Sequence, residues 1–290
     1  MVKQISSEEL QTIVRSVPML SASASRLLQI TANPDHDLHE VVSLVKTDAN
    51  LTARVLKVIN SAAFGMLNKI TSIDRAVSFL GERVIVSIAI GDCAGNLLEK
   101  ELVGYAAASG DLWKHDLRAA IAAREVVTQG KAEIRSELAF TAGLLHDIGK
   151  ALISDYLQGT APEAIELLTA EDSFDYLEAE KKLIGFDHTI AGYELAKYWQ
   201  LPEELIEVIR FHHEPGRASE EFKPLVYAVH LGDSIAMMGG FGTGSDSMRY
   251  KLDPAYAQYI QITPNILASI MLAVDTEFTK LEESLNDLGE

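Results

Sequence analysis

The chain has one cysteine, Cys93, so no internal disulfide can form. Cys93 sits among small and apolar residues in IAIGDCAGNLL, the setting of an inert buried thiol rather than a nucleophile, and a reducing cytoplasm is expected. No apolar run approaches the ~18 residues of a membrane span. The opening MVKQISSEEL carries acidic residues where a secretory signal has a basic end and an apolar run, so neither export nor membrane attachment is expected. Basic runs are missing as well. With 25 Lys and Arg against 42 Asp and Glu, the net charge of -17 leaves no cluster able to displace counterions, which argues against nucleic acid as a partner. An anionic ligand would have to meet local positive charge, from a metal or a few placed basic side chains. Alternating strand patterns and internal repeats of ~20 to 50 residues are also lacking.

What the sequence does have is helical periodicity. Its 290 residues suffice for a large core, and 48% of them are hydrophobic. Apolar residues recur every three or four positions in LTARVLKVI (51–59), LEAEKKLIGF (177–186) and LPEELIEVIRF (201–211). Helix starts are marked by Ser6 and Ser7, by Ser72 before a helix ending at Gly81, by Asp187, and by Pro202. These signals predict an all-α multi-helix bundle of about a dozen helices. A composition break near YAAASGD (105–111) predicts an amino-terminal helical subdomain over residues 1–107 and a second over 108–290. GGFGTGSDS (239–247) has phosphate-loop glycines but no following Gly-Lys-Ser or Gly-Lys-Thr and no preceding strand, so it reads as a flexible helix connection.

Six of the eight histidines fall between residues 115 and 230. In GLLHDIGK (143–150), His146-Asp147 ends an apolar helix, and a buried carboxylate beside a buried imidazole is costly unless a cation compensates it. Lys150, four residues after His146, shares its face and could meet a phosphate there; a solvated lysine at a helix end is the alternative. SGDLWKHDLRAA places Asp111 and His115 four apart, with Trp113 and Leu117 on the other side. Two short antiparallel helices joined through Gln200-Leu201-Pro202 would return His212-His213 towards His188. AVHLGDSIA offers Asp233 and, less strongly, His230. His36 and His39 fit a loop and a helix start, and the acidic run EDSFDYLEAE (171–180) fits a solvated face.

The ordered set His115, His146-Asp147, Lys150, His188, His212-His213 and Asp233 resembles the HD superfamily of metal-dependent phosphohydrolases, in the histidine-rich form of its HD-GYP branch. VKTDANLTARVLKVINSAAFG followed by ITSIDRAVSFLG resembles the HDOD family, helical regulatory output domains of bacterial signalling proteins, with Asn60-Ser61, Gly65, Ala76 and Leu80-Gly81 carrying the match. The resemblance spans roughly residues 15 to 240. It implies that His115, His146, Asp147 and Asp233 hold one ion and that Asp147 bridges to a second held by His188, His212 and His213. Asp111 falls where some relatives have an additional acidic ligand, and Lys150 where relatives place a basic group near the phosphate. Two divalent transition ions are expected, iron or manganese favoured and zinc or nickel as alternatives, because imidazole and carboxylate together suit these better than magnesium. After His212-His213 the chain reads EPGRASEEFKP, without the Gly-Tyr-Pro segment, which puts cyclic di-GMP in question as a substrate. The resulting expectation is a bacterial signalling protein with a dinuclear site and a protein partner acting in trans. The alternative is a phosphodiesterase or phosphatase acting on a phosphate ester through Asp147 and Lys150.

Overall fold

The computed structural model describes residues 4–160, 164 and 175–286, and every structural statement below concerns these. They form helices and no strand; a lone bridge pairs Leu102 with Ala107. The all-α expectation holds. The amino-terminal half contains α1 (Ser7–Ser16), α2 (Ala22–Ala32), α3 (Leu38–Thr47), α4 (Ala49–Ile59) and the long α5 (Ile73–Leu98). Then follow α6 (Asp111–Gln129), α7 (Ser136–Leu145), α8 (Ile148–Ile153), α9 (Tyr176–Ile184), α10 (His188–Tyr198), α11 (Glu203–Phe211), α12 (Lys223–Met238) and α13 (Pro264–Asn286). No described helix is long and apolar enough to cross a membrane.

The start signals act as local chemistry requires. Ser6 and Glu9 form a reciprocal capping box on α1, and Asp187 accepts the Ile190 N–H at the start of α10. Ser72 caps α5, but the helix does not end at Gly81. Gly81 adopts φ 76°, a break that glycine tolerates, and helical structure resumes to Leu98 because Val84 to Ile90 supply a further buried run. The predicted division after residue 107 falls between α5 and α6. One apolar cluster runs from Ile5 to Leu281, and α13 packs on α6 while touching α4 and the 3-10 turn Ala62–Phe64.

Small residues set how closely the central helices approach. On α6, Ala119, Ala120, Ala122 and Ala123 are fully buried. A Cβ added at Gly143 of α7 would lie 2.7 Å from Ala120 Cα, and one at Gly232 of α12 would lie 2.7 Å from the Ala123 nitrogen. The helix backbones themselves are therefore in contact, and no larger residue fits. The same holds where α8 crosses α10: a Cβ on Gly149 would run into the His188 carbonyl and lie 2.6 Å from the Gly192 nitrogen. Gly149→Ala must push α10 away from α8 and is expected to lower stability by about 3 kcal/mol, the upper end of overpacking costs. Urea unfolding measures it; a variant as stable as wild type would show that the two helices do not meet here.

Candidate metal centre

Six helices deliver polar side chains to one place. His115 and Asp116 come from α6, His146 and Asp147 from the α7–α8 junction, and Lys150 from α8. His188 opens α10, His212 and His213 follow α11, and Asp233 lies on α12. Asp147 is the hub. Its Oδ1 lies 3.3 Å from His188 Nε2 and 3.3 Å from His212 Nε2. Its Oδ2 lies 3.5 Å from His115 Nε2, 3.6 Å from His146 Nε2 and 2.6 Å from Lys150 Nζ. Asp233 Oδ1 approaches His115 Nε2 at 3.2 Å and His146 Nε2 at 3.7 Å, while its Oδ2 is 3.8 Å from His213 Nδ1. All seven metal-ligand candidates read from the sequence are thus brought together, together with Lys150.

Two groups of ligand atoms have metal-binding dimensions. Asp147, His188, His212 and His213 form one, and His115, Asp116, His146 and Asp147 the other; within each, one atom per residue lies within 4.8 Å of every other. The two share Asp147. Asp116 enters the second group, while Asp233 borders it through His115 and His146. Asp111 instead accepts the Ala108 N–H at 2.7 Å, tying down the start of α6. His230 is also committed elsewhere: its Nδ1 donates to the His212 carbonyl at 2.7 Å and its Nε2 accepts the Asp253 N–H at 2.9 Å.

The inward-facing atoms lack ordinary partners. His115, His146, His188 and His212 Nε2, Asp147 Oδ1 and Asp233 Oδ1 are buried without hydrogen bonds, and Asp147 Oδ2 has only the ion pair with Lys150. Native proteins rarely leave so many buried polar atoms unsatisfied at one point. The outer nitrogens, by contrast, are engaged. His115 Nδ1 donates to the Phe241 carbonyl at 2.7 Å, His146 Nδ1 to Gly143 at 2.8 Å, and His212 Nδ1 to Val208 and Ile209, each at 3.2 Å. A carbonyl can only accept, so the proton of each neutral ring sits on Nδ1 and the Nε2 lone pair points inward. His188 Nδ1 is held by Glu180 at 2.9 Å.

Electrostatics divides the cluster. Burial works against charge at Asp147, but Lys150, His146 and the contacts with His188 and His212 hold it well below the usual carboxylate range. At His188 burial opposes protonation, yet the charges of Glu180 and Asp147 raise it to about 10. His212 is lowered to about 4, and His213 is held well below its ordinary value, in both cases chiefly by burial. Burial raises Asp116 well above the carboxylate range, with Asp147 adding to it.

Several contributors were not singled out from the sequence. The expected solvated face EDSFDYLEAE is corrected in part: residues 171–174 lie outside the described residues, but Glu180 is fully buried and accepts both the Tyr105 hydroxyl and His188 N–H groups. A signal existed, because Tyr176, Glu180 and Ile184 follow one another at helical spacing on a buried face. Asp116 likewise repeats the His-Asp dipeptide of His146-Asp147. The glycine-rich stretch 239–247 is not a mere connection. Positive φ at Gly240 and Gly244 turns it into the centre, where Asp246 and Thr243 are buried and meet Lys150 Nζ at 2.5 and 2.9 Å. Tyr250 then stacks on His213, ring centres 3.8 Å apart.

A helical scaffold closing on a shared imidazole–carboxylate centre defines the class. The HDOD domain family model matches residues 17–215, and the chain belongs to that family. It is 28% identical over 219 residues to an uncharacterized protein of Treponema pallidum (strain Nichols), covering 74% of this chain but only 41% of that relative's length. Among solved structures, an HDOD domain protein of unknown function from Geobacter sulfurreducens superposes with a TM-score of 0.62 at 23% identity, over 93% of this chain and 89% of that one. A Shewanella amazonensis SB2B protein provisionally named a phosphohydrolase gives 0.61 at 24%, over 96% and 97%. A Marinobacter aquaeolei VT8 protein provisionally named for signal transduction gives 0.70 at 17%, over 100% and 62%. At these identities the structures share the fold.

The low value at His212 fixes a sign. Its folded pKa lies below the ~6.5 of an unfolded histidine, so unfolding takes up a proton as pH falls below ~6.5, and stability drops from there towards pH ~4. In metal-free protein, the stability lost between pH 7 and 5 should exceed that of His212→Asn by on the order of 2 kcal/mol. Parallel losses in urea titrations of the two proteins would contradict the assignment.

Proposed function

We propose that this is a regulatory HDOD protein of bacterial signalling whose buried centre holds divalent transition ions, two of them, with iron or manganese favoured over zinc or nickel. The observation that carries the reading is the set of inward-facing Nε2 and carboxylate atoms without hydrogen-bond partners, backed by Nδ1 acceptors that orient the rings for ligation. His188, His212 and His213 would serve one ion, His115, His146 and Asp233 the other, and Asp147 both. Asp116 is a further carboxylate beside the second set, its nearest oxygen 3.6 Å from His146 Nδ1. Bound ions of this kind supply Lewis-acid polarisation of a phosphoryl oxygen.

The chain's own residues support regulation over turnover. Lys150, the candidate phosphate-facing base of the sequence, is buried, and its ammonium is engaged by Asp147, Asp246 and Thr243. With two carboxylates and a hydroxyl already around it, the ammonium is committed to protein groups rather than presented to a phosphate ester. His115, His146, Asp147, His188, His212 and Asp233 are each at most 1% exposed. In this reading the amino-terminal helices would contact a signalling partner in trans.

Elemental analysis of protein loaded anaerobically with Fe(II) or Mn(II) should find about two ions per chain, with the load lost in Asp147→Ala. Protein that stays metal-free, or a variant loaded like wild type, defeats the reading. Loading at pH 7.5 should also release at least one proton per chain, since His188 must lose the charge that Glu180 and Asp147 stabilise. Titration calorimetry in buffers of different ionisation enthalpy reads this directly. Finally, loaded protein should hydrolyse bis(p-nitrophenyl) phosphate no faster than free metal. Asp147-dependent product release would establish the phosphohydrolase alternative instead.

A further inference from the structure

Away from the centre, a cavity of about 760 Å³ opens between the end of α4 and the segment 69–71. Its apolar lining includes Ala53, Leu56 and Ile70, its polar lining Lys57, Ser61 and Lys69, and none of its lining residues is acidic. In a chain with 42 acidic and 25 basic residues such a stretch is conspicuous in charge alone. Both lysines are exposed, and neither forms an ion pair among the described residues. The Ser61 hydroxyl is buried without a hydrogen-bond partner. The walls are fixed before any ligand arrives: Asn60 Nδ2 donates to the Leu56 carbonyl at 2.7 Å and the Ile70 carbonyl at 2.8 Å, while its Oδ1 accepts the Ile70 N–H at 2.7 Å. One side chain thus ties the helix end to the opposite wall, which keeps the cost of ordering the site low.

We propose that this cavity binds a small organic phosphate of the nucleotide kind, its anionic group between Lys57 and Lys69 and its ring on the Leu56–Ile70 floor. The volume lies in the ~300 to 1,000 Å³ range of small-molecule sites. A macromolecular interface needs some 20 to 30 residues a side, far more than line this cavity. Two ammonium groups without an ion-pair partner among the described residues, on a lining that has no acidic residue, supply the local field that an acidic protein otherwise denies an anion.

The test is calorimetric titration of the full chain with ATP and with GTP, metal removed by chelation, so that the outcome is independent of the histidine centre. Pyrophosphate serves as a ringless probe and a short poly-glutamate peptide as an acidic macromolecular one. Saturable nucleotide binding is expected, weakened roughly tenfold or more in Lys57→Gln/Lys69→Gln, weaker at high salt, and tighter than pyrophosphate. Both lysines are exposed, so the double variant should fold, and its thermal unfolding checks that. No saturable binding of either nucleotide overturns the proposal, as does unchanged affinity in the variant. Pyrophosphate binding as tightly as the nucleotides removes the role of the floor, and binding of the peptide alone reassigns the cavity to an acidic protein segment.

Discussion

A carboxylate cut off from water sets the terms for the rest of the molecule. Asp147 is fully buried, and removing an ion of its size from water costs several kcal/mol even after relaxation. The chain offsets this by surrounding it: Lys150 at 2.6 Å, two imidazoles facing Oδ1 and two facing Oδ2. Those groups come from helices far apart in sequence, so the helices must converge to within side-chain reach of one point. Glycines at the crossings permit it. Gly143 lies three residues before His146, Gly149 two after Asp147, Gly192 four after His188, and Gly232 beside Asp233. Without the close backbone approach the imidazoles would stop short of the carboxylate they compensate.

The helical class was legible because amphipathic spacing and caps are local properties, carried within a few residues. The histidine and aspartate ligand candidates were legible for a related reason, since buried imidazoles and carboxylates are costly and so seldom cluster without purpose. What escaped is long-range. Glu180 looks like one acid in an acidic run until α9 turns it towards His188, and Asp246 looks like loop chemistry until Lys150 meets it 96 positions away along the chain. Gly81 misled in the other direction. A glycine after an apolar run ordinarily ends a helix, yet here the apolar pattern beyond it was strong enough to restart one.

The outer ring of contacts explains why the centre has a defined protonation pattern. Carbonyls of Phe241, Gly143, Val208 and Ile209 hold the Nδ1 protons of three histidines, whereas Glu180 gives His188 a charged neighbour. The result is asymmetric. His188 favours the charged form while His212 and His213 stay neutral, so the group beside Asp147 Oδ1 mixes one charged and two neutral rings in the metal-free state. The one charge sits on the ring that lies between Glu180 and Asp147, and burial keeps the other two rings neutral.

The carboxyl-terminal helix belongs to this arrangement, although none of its residues reaches the centre. Arg118 on α6 lies between two rings, Phe241 on one face at 3.3 Å and Phe278 of α13 on the other at 3.2 Å. Phe241 is the residue whose carbonyl orients His115. A guanidinium stacked on both faces resists displacement in either direction and keeps its charge in a mainly apolar setting through the ring quadrupoles. The position of α13 is thereby linked, through Arg118 and Phe241, to the orientation of His115. The same segment continues to Thr243, Asp246 and Tyr250, so the stretch that aims one imidazole also neutralises Lys150 and covers His213. The stretch from Phe241 to Tyr250 thus contributes both to the enclosure of the centre and to the orientation of His115.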